Sequence, residues 1–159
     1  MLGLASVYLK QNNTSQAQNY YARLLELNPR DPIARAALLE ISMRDDPVRQ
    51  ESELKSLITA FPGVAPISFA LGNLYANQNR WSEAQSAYFN ALLAAKSGSA
   101  GAVSPDYAFN LAVSLERLSQ LRAALDYYRE AQTLSRDTVP GFSINLLNQR
   151  INILEQRVQ

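Results

Sequence analysis

Three windows of this sequence carry matching residues at matching intervals. Leu4, Leu71 and Leu111 are each followed at +1 by a small residue (Ala5, Gly72, Ala112) and at +4 by a large one (Tyr8, Tyr75, Leu115). Ala stands at +13 (Ala17, Ala84, Ala124), Tyr at +17 (Tyr21, Tyr88, Tyr128) and an apolar residue at +20 (Leu24, Ala91, Ala131). Spacings of three and four place these residues on one face of a helix. A Gly inside such a helix costs about 1 kcal/mol against Ala. Gly72 therefore needs a reason, and a close crossing of two helices supplies one. Small side chains let the backbones approach while the tyrosines fill the space beside them.

A fourth window, 31–63, repeats the pattern more weakly. Leu38 takes the leading position, Leu39 stands where a small residue is expected, and either Gln50 or Glu51 stands in place of the Ala. Its "LITAFP" ending echoes "LLELNP" of the first window. The two helices of this unit should pack less tightly.

The spacing resembles the tetratricopeptide repeat, a unit of about 34 residues built from two antiparallel helices. The resemblance covers nearly the whole chain. It implies an all-α, right-handed superhelix of about four helical hairpins followed by a capping helix, in a single domain. The units fall at about 1–31, 32–64, 65–98 and 105–138, with the cap at 142–157. Ser68 and Ala108 stand where the family carries Trp. The first unit begins part-way through its first helix, so the natural chain is expected to extend upstream of Met1.

Punctuation along the chain agrees with this division. All seven prolines lie at or between expected helix ends, and Asp31-Pro32, Asp46-Pro47 and Ser104-Pro105 read as N-caps followed by Pro at the first helical position. Helices are expected near 1–11, 14–27, 32–43, 47–60, 66–78, 81–95, 105–118, 121–135 and 142–157. Leu71 and Leu111 are 40 residues apart, six more than the period. The surplus falls in "KSGSAGAVSPD", a glycine-containing loop. The last helix carries Ile144, Leu147, Ile151, Leu154 and Val158 as an apolar stripe. It is expected to cap the exposed side of the final unit; docking a partner or a second copy is the alternative.

Composition narrows the functional classes. Fifteen basic and fourteen acidic residues give a net charge of +1 without runs of either sign. A nucleic-acid binder usually shows a basic stripe, so no nucleic-acid partner is expected. Cys and His are both absent, which removes disulfides, the commonest metal ligands and the commonest general base. No glycine-rich phosphate loop or nucleophile motif is present. The reading is therefore a non-enzymatic protein with no cofactor and no metal. The charge-free run 56–79 contains Pro62, Gly63 and Pro66, so it does not read as a membrane span, and no direct insertion by this chain is expected.

In the family that this chain resembles, four positions of each first helix line a concave groove. Carried onto the present numbering, they are Phe69, Asn73, Ala76 and Asn77 in the third unit, and Phe109, Val113, Glu116 and Arg117 in the fourth. The second unit offers Ala36, Glu40, Met43 and Arg44, and the first offers Leu2, Ser6, Leu9 and Lys10. The partner-binding set is taken as Phe69, Asn73, Asn77, Phe109, Val113, Glu116, Arg117, Glu40 and Arg44. Members that clamp a C-terminal carboxylate carry Lys where this chain has Phe, so that role is not implied. Phe69 and Phe109 are either anchors for a partner or rings packed between neighbouring helices. Trp81, at the start of a helix, is expected to pack at the edge of its unit.

The implied function is a scaffold that binds a protein or peptide segment. The alternatives are a structural oligomerisation module, giving a homodimer, and a regulatory domain of a larger protein. Residues 106–131 are similar to the last repeat of bacterial pilus-biogenesis proteins, including the mannose-sensitive haemagglutinin type. That similarity implies partners in pilus or secretion assembly. It also implies a periplasmic domain of a membrane-anchored protein, with a cytoplasmic location as the alternative.

Overall fold

The computed structural model describes residues 14–98 and 102–158. Among the described residues are eight α-helices and no strand. They are α1 (Thr14–Leu27), α2 (Pro32–Ser42), α3 (Pro47–Ala60), α4 (Ala65–Asn77), α5 (Trp81–Ser97), α6 (Pro105–Arg117), α7 (Leu121–Leu134) and α8 (Ile144–Arg157). Their ends lie within two residues of those expected from the sequence. The helix expected near 1–11, with Leu2, Ser6, Leu9 and Lys10, lies outside the described residues.

Local chemistry sets the helix starts. The Asp31 carboxylate accepts from the Ile33 and Ala34 backbone N–H groups at 3.0 and 2.9 Å. Asp46 accepts from Arg49 N–H at 3.1 Å and Ser104 from Asp106 N–H at 3.3 Å. Each cap precedes a Pro whose missing N–H costs nothing in the first turn. The turns after α4 and α6 close in the same way. Asn79 (φ 58°) and Ser119 (φ 61°) occupy the left-handed region. The following N–H groups, of Arg80 and Gln120, donate to Tyr75 and Leu115 carbonyls at 2.9 Å.

The repeated residues form the core. Ala84, Ala91, Ala112, Ala124 and Ala131 are fully buried, and Tyr88 and Tyr128 are among the largest fully buried side chains. Gly72 lies directly under Tyr88: a Cβ there would stand 2.5 Å from Cδ1 and Cε1 of the ring. No real contact is that short, so the crossing of α4 and α5 admits only glycine without movement of the ring. One continuous apolar cluster runs from Ala36 on α2 to Leu154 on α8. A smaller cluster joins Ala17 and Tyr21 of α1 to Ala34 and Ala37 of α2.

The second unit departs as its sequence suggests, and the structure decides between Gln50 and Glu51. One residue fewer separates Pro32 from Pro47 than separates Ala65 from Trp81 or Pro105 from Leu121. Gln50 therefore turns inward in place of the Ala, with Leu54 and Leu57 buried after it. Glu51 points to the side. A Gln at a crossing built for Ala keeps the helices apart, and α2 and α3 pack less extensively than α4 and α5.

Helix α8 buries Leu147, Ile151 and Leu154 against the main cluster. Burial of these three side chains makes α8 the cap of the solenoid. Ile144, counted in the same stripe, is 39% exposed instead. The linker before α8 is tied back to α6, because Asp106 Oδ1 accepts from Gly141 N–H at 2.7 Å. That tie seats Phe142 on Phe109, with ring centroids 4.1 Å apart and planes 10° apart.

Candidate binding groove

Eight of the nine residues expected to contact a partner line two concavities. The first, of about 420 Å³, lies where α2, α3 and α4 meet and is lined by Glu40, Arg44, Asn73 and Asn77, with Gln50 added from α3. The second, of about 560 Å³, lies between α6, α7 and α8. Phe109, Val113, Glu116 and Arg117 line it together with Leu146, Arg150 and Arg157 of α8. Phe69 lines neither. Its ring packs 5.5 Å from that of Tyr88 and 5.1 Å from that of Tyr107, so it joins α4 to α5 and α6. Phe109 does both jobs: it meets Tyr128 edge-on, stacks on Phe142 and remains on the wall of the second concavity.

The polar residues of the first concavity are wired to one another. The Tyr88 hydroxyl donates to Asn73 Oδ1 at 2.9 Å, and Asn73 Nδ2 donates to Glu40 Oε1 at 2.8 Å. Burial pushes the Glu40 carboxyl up from its ordinary range, opposed by the Asn73 hydrogen bond and the Arg44 charge. Burial, and then the Glu40 charge, raises the Tyr88 phenol too. It stays protonated and donates. Asn77 is exposed on the rim. Gln50 is 5% exposed, and its side-chain amide makes no hydrogen bond among the described residues.

A parallel arrangement builds the second concavity. The Tyr128 hydroxyl donates to Glu116 Oε2 at 2.9 Å, and Arg150 donates to Glu116 Oε1 at 3.3 Å. Burial followed by Glu116 raises the Tyr128 phenol. The Arg117 guanidinium lies 5.3 Å from the Trp81 ring centre, which gives that tryptophan its place at the edge of its unit. Arg157 makes no hydrogen bond or ion pair among the described residues.

Sequence reasoning missed what α8 and Gln50 add. Leu146, Arg150 and Arg157 share one face of α8 at helical spacing, and that second stripe was legible beside the apolar one. Gln50 was visible only as a departure from Ala. Phe142 had no signal, because it precedes its helix and reaches the groove only through the folded linker. Among the described residues no group of His, Cys, Asp or Glu side chains is arranged to hold a metal. No described helix is long and apolar enough to cross a membrane.

Family models described as tetratricopeptide repeat match residues 1–41, 51–100 and 69–137. The chain belongs to the tetratricopeptide-repeat family. Solved structures of similar fold include MamA, with a TM-score of 0.66 and 14% identity over 97% of this chain and 84% of that one. A thermophilic tetratricopeptide-repeat protein of Thermus thermophilus gives 0.68 and 20% identity over 96% of this chain and 78% of that one. PilF of Pseudomonas aeruginosa gives 0.68 and 20% identity over 98% of this chain and 66% of that one. No curated protein is significantly similar in sequence. As a tetratricopeptide-repeat protein the chain is a protein-interaction scaffold, of a family whose modules typically do no chemistry and bind protein partners.

Proposed function

We propose that this tetratricopeptide-repeat protein binds a segment of a partner protein along the groove formed by its first helices. The observation that carries this reading is Gln50. Gln50 is largely buried, and its side-chain amide makes no hydrogen bond among the described residues but stays open to solvent in a concavity shared with Asn77 and Arg44. Its two N–H donors and its carbonyl are therefore free to meet a ligand in that concavity. A peptide backbone offers the N–H and C=O that an amide side chain needs. The second concavity adds an apolar floor of Phe109, Val113 and Leu146 for a side chain of the same segment.

The partner we propose belongs to bacterial pilus or secretion assembly. Support comes from the similarity of residues 106–131 to pilus-biogenesis repeats and, for the fold alone, from the likeness to PilF. A second reading, docking of another copy of the chain on α8, draws on the exposure of Ile144, Leu146 and Ile153. Light scattering across concentration separates the two.

The test starts from segments selected out of a displayed random peptide library on the whole protein. Affinities are then measured by fluorescence anisotropy for the wild type, Gln50→Ala and Val113→Trp. Gln50→Ala restores the residue found in the other units, so stability should hold or rise. Binding should weaken about two- to tenfold, the worth of a lost hydrogen bond. Val113→Trp fills the second concavity without changing charge and should block binding there. Selected segments that bind both variants as tightly as the wild type would overturn the groove.

A further inference from the structure

The two concavities differ in charge. In the first, Glu40 faces Arg44 and the remaining polar wall is uncharged amide. In the second, three guanidinium groups face a single carboxylate. Both oxygens of that carboxylate, Glu116, already accept hydrogen bonds, from Tyr128 and Arg150. The Arg117 guanidinium lies over Trp81 and makes no hydrogen bond or ion pair among the described residues, which leaves its N–H groups for another acceptor. Arg157 is unpaired among the described residues. The chain as a whole carries a net charge of only +1, so this surplus is a local feature. Beneath it lies the apolar floor of Phe109, Val113 and Leu146.

We infer that the concavity between α6, α7 and α8 selects an acidic protein segment, one large apolar side chain of which inserts between Val113 and Leu146. Carboxylates on either side of that anchor pair with Arg117, Arg150 and Arg157. This inference rests on the groove reading above and adds the chemistry of the partner. An uncharged segment would leave the surplus cations facing nothing, and a basic one would be repelled. The apolar floor favours a peptide over a free anion, because an anion alone gains nothing from Phe109 and Val113.

The experiment uses the whole protein and the library segments, of about a dozen residues each, which is long enough to span one groove. Recovered segments should share net negative charge and a large apolar residue. Their affinity should fall about tenfold or more when sodium chloride rises from roughly 50 to 300 mM. Arg157→Gln breaks no hydrogen bond or ion pair among the described residues, so its melting temperature should match the wild type while acidic segments bind it several-fold more weakly. Arg150→Gln should weaken them further, with circular dichroism checking the fold because Glu116 loses a partner.

Neutral or basic segments that bind Arg157→Gln unchanged but lose binding in Val113→Trp would overturn the acidic preference and leave the groove standing. Recovery of no segment sensitive to Val113→Trp would overturn this inference, and indifference to Gln50→Ala as well would overturn the groove with it. Displacement of the acidic segments by a short single-stranded oligonucleotide of higher affinity would overturn the assignment to protein.

Discussion

Asn73 donates a 2.8 Å hydrogen bond to Glu40 across 33 residues of sequence, joining equivalent positions on the first helices of two consecutive hairpins. Two residues expected to meet a partner thus also hold α2 against α4. Tyr88 completes the chain from α5. The groove-lining face is therefore partly built by its own polar residues, which limits how freely they can be changed.

Glu40 pays for its position in pH dependence. Its folded pKa is raised above the ordinary 4.5, with burial the main cause. The stability this contributes is fully present below about pH 4.5 and is lost as pH rises through the raised folded value. Glu40→Gln keeps an acceptor for Asn73 without the charge. Urea titrations from pH 4 to pH 7 should show a flatter profile for the variant and a gain in stability at neutral pH. Tyr88→Phe should cost about 1 kcal/mol throughout, the net value of one hydrogen bond.

Gly72→Ala sets two effects against each other. The substitution improves helix propensity by about 1 kcal/mol, but its Cβ would meet the Tyr88 ring at 2.5 Å. Tyr88 is 2% exposed and held at its hydroxyl by Asn73, so it has little room to yield. Overpacking of this kind costs about 1–3 kcal/mol, and the melting temperature should fall by a few degrees despite the better helix former. Gly72→Leu should fall further. Calorimetry showing a rise for both would mean that α4 and α5 separate at no cost.

Acid should weaken the protein through Glu51. Its carboxylate accepts from Arg80 at 2.6 Å, Lys55 at 2.6 Å and Tyr75 at 3.0 Å. Arg80, then Lys55, are the main causes that hold its pKa down to about 2. The stability it contributes is present above about pH 4.5 and is lost as pH falls toward 2. In Glu51→Gln the drop in melting temperature across that window should be smaller than in the wild type.

The two sides of α8 should respond differently. Leu147 is fully buried in the main cluster, and Leu147→Ala should cost about 2–5 kcal/mol. Ile144 is 39% exposed, and Ile144→Ala should change stability by about 0.5 kcal/mol or less. Chemical denaturation of the two variants measures both. Equal effects would be inconsistent with α8 as a cap.

Helix positions, the small–large crossings and the apolar face of α8 could all be read from the amino-acid sequence. These are local properties: a cap such as Asp31 acts within three residues, and spacings of three and four decide which face of a helix is apolar wherever that helix later sits. Only the tertiary structure decided between Gln50 and Glu51, because α3 starts one residue sooner after the start of α2 than the second helices of the later units do, and no local preference counts that residue. It likewise decided that Phe69 is a packing ring while Phe109 stays on the groove wall, since Tyr107 covers one and Phe142 stacks on the other from different elements. The hydrogen bonds of Asn73 and the cluster of Arg117, Arg150 and Arg157 follow the same rule. Which partner a side chain meets depends on distances between helices, and those are set by the packed core as a whole.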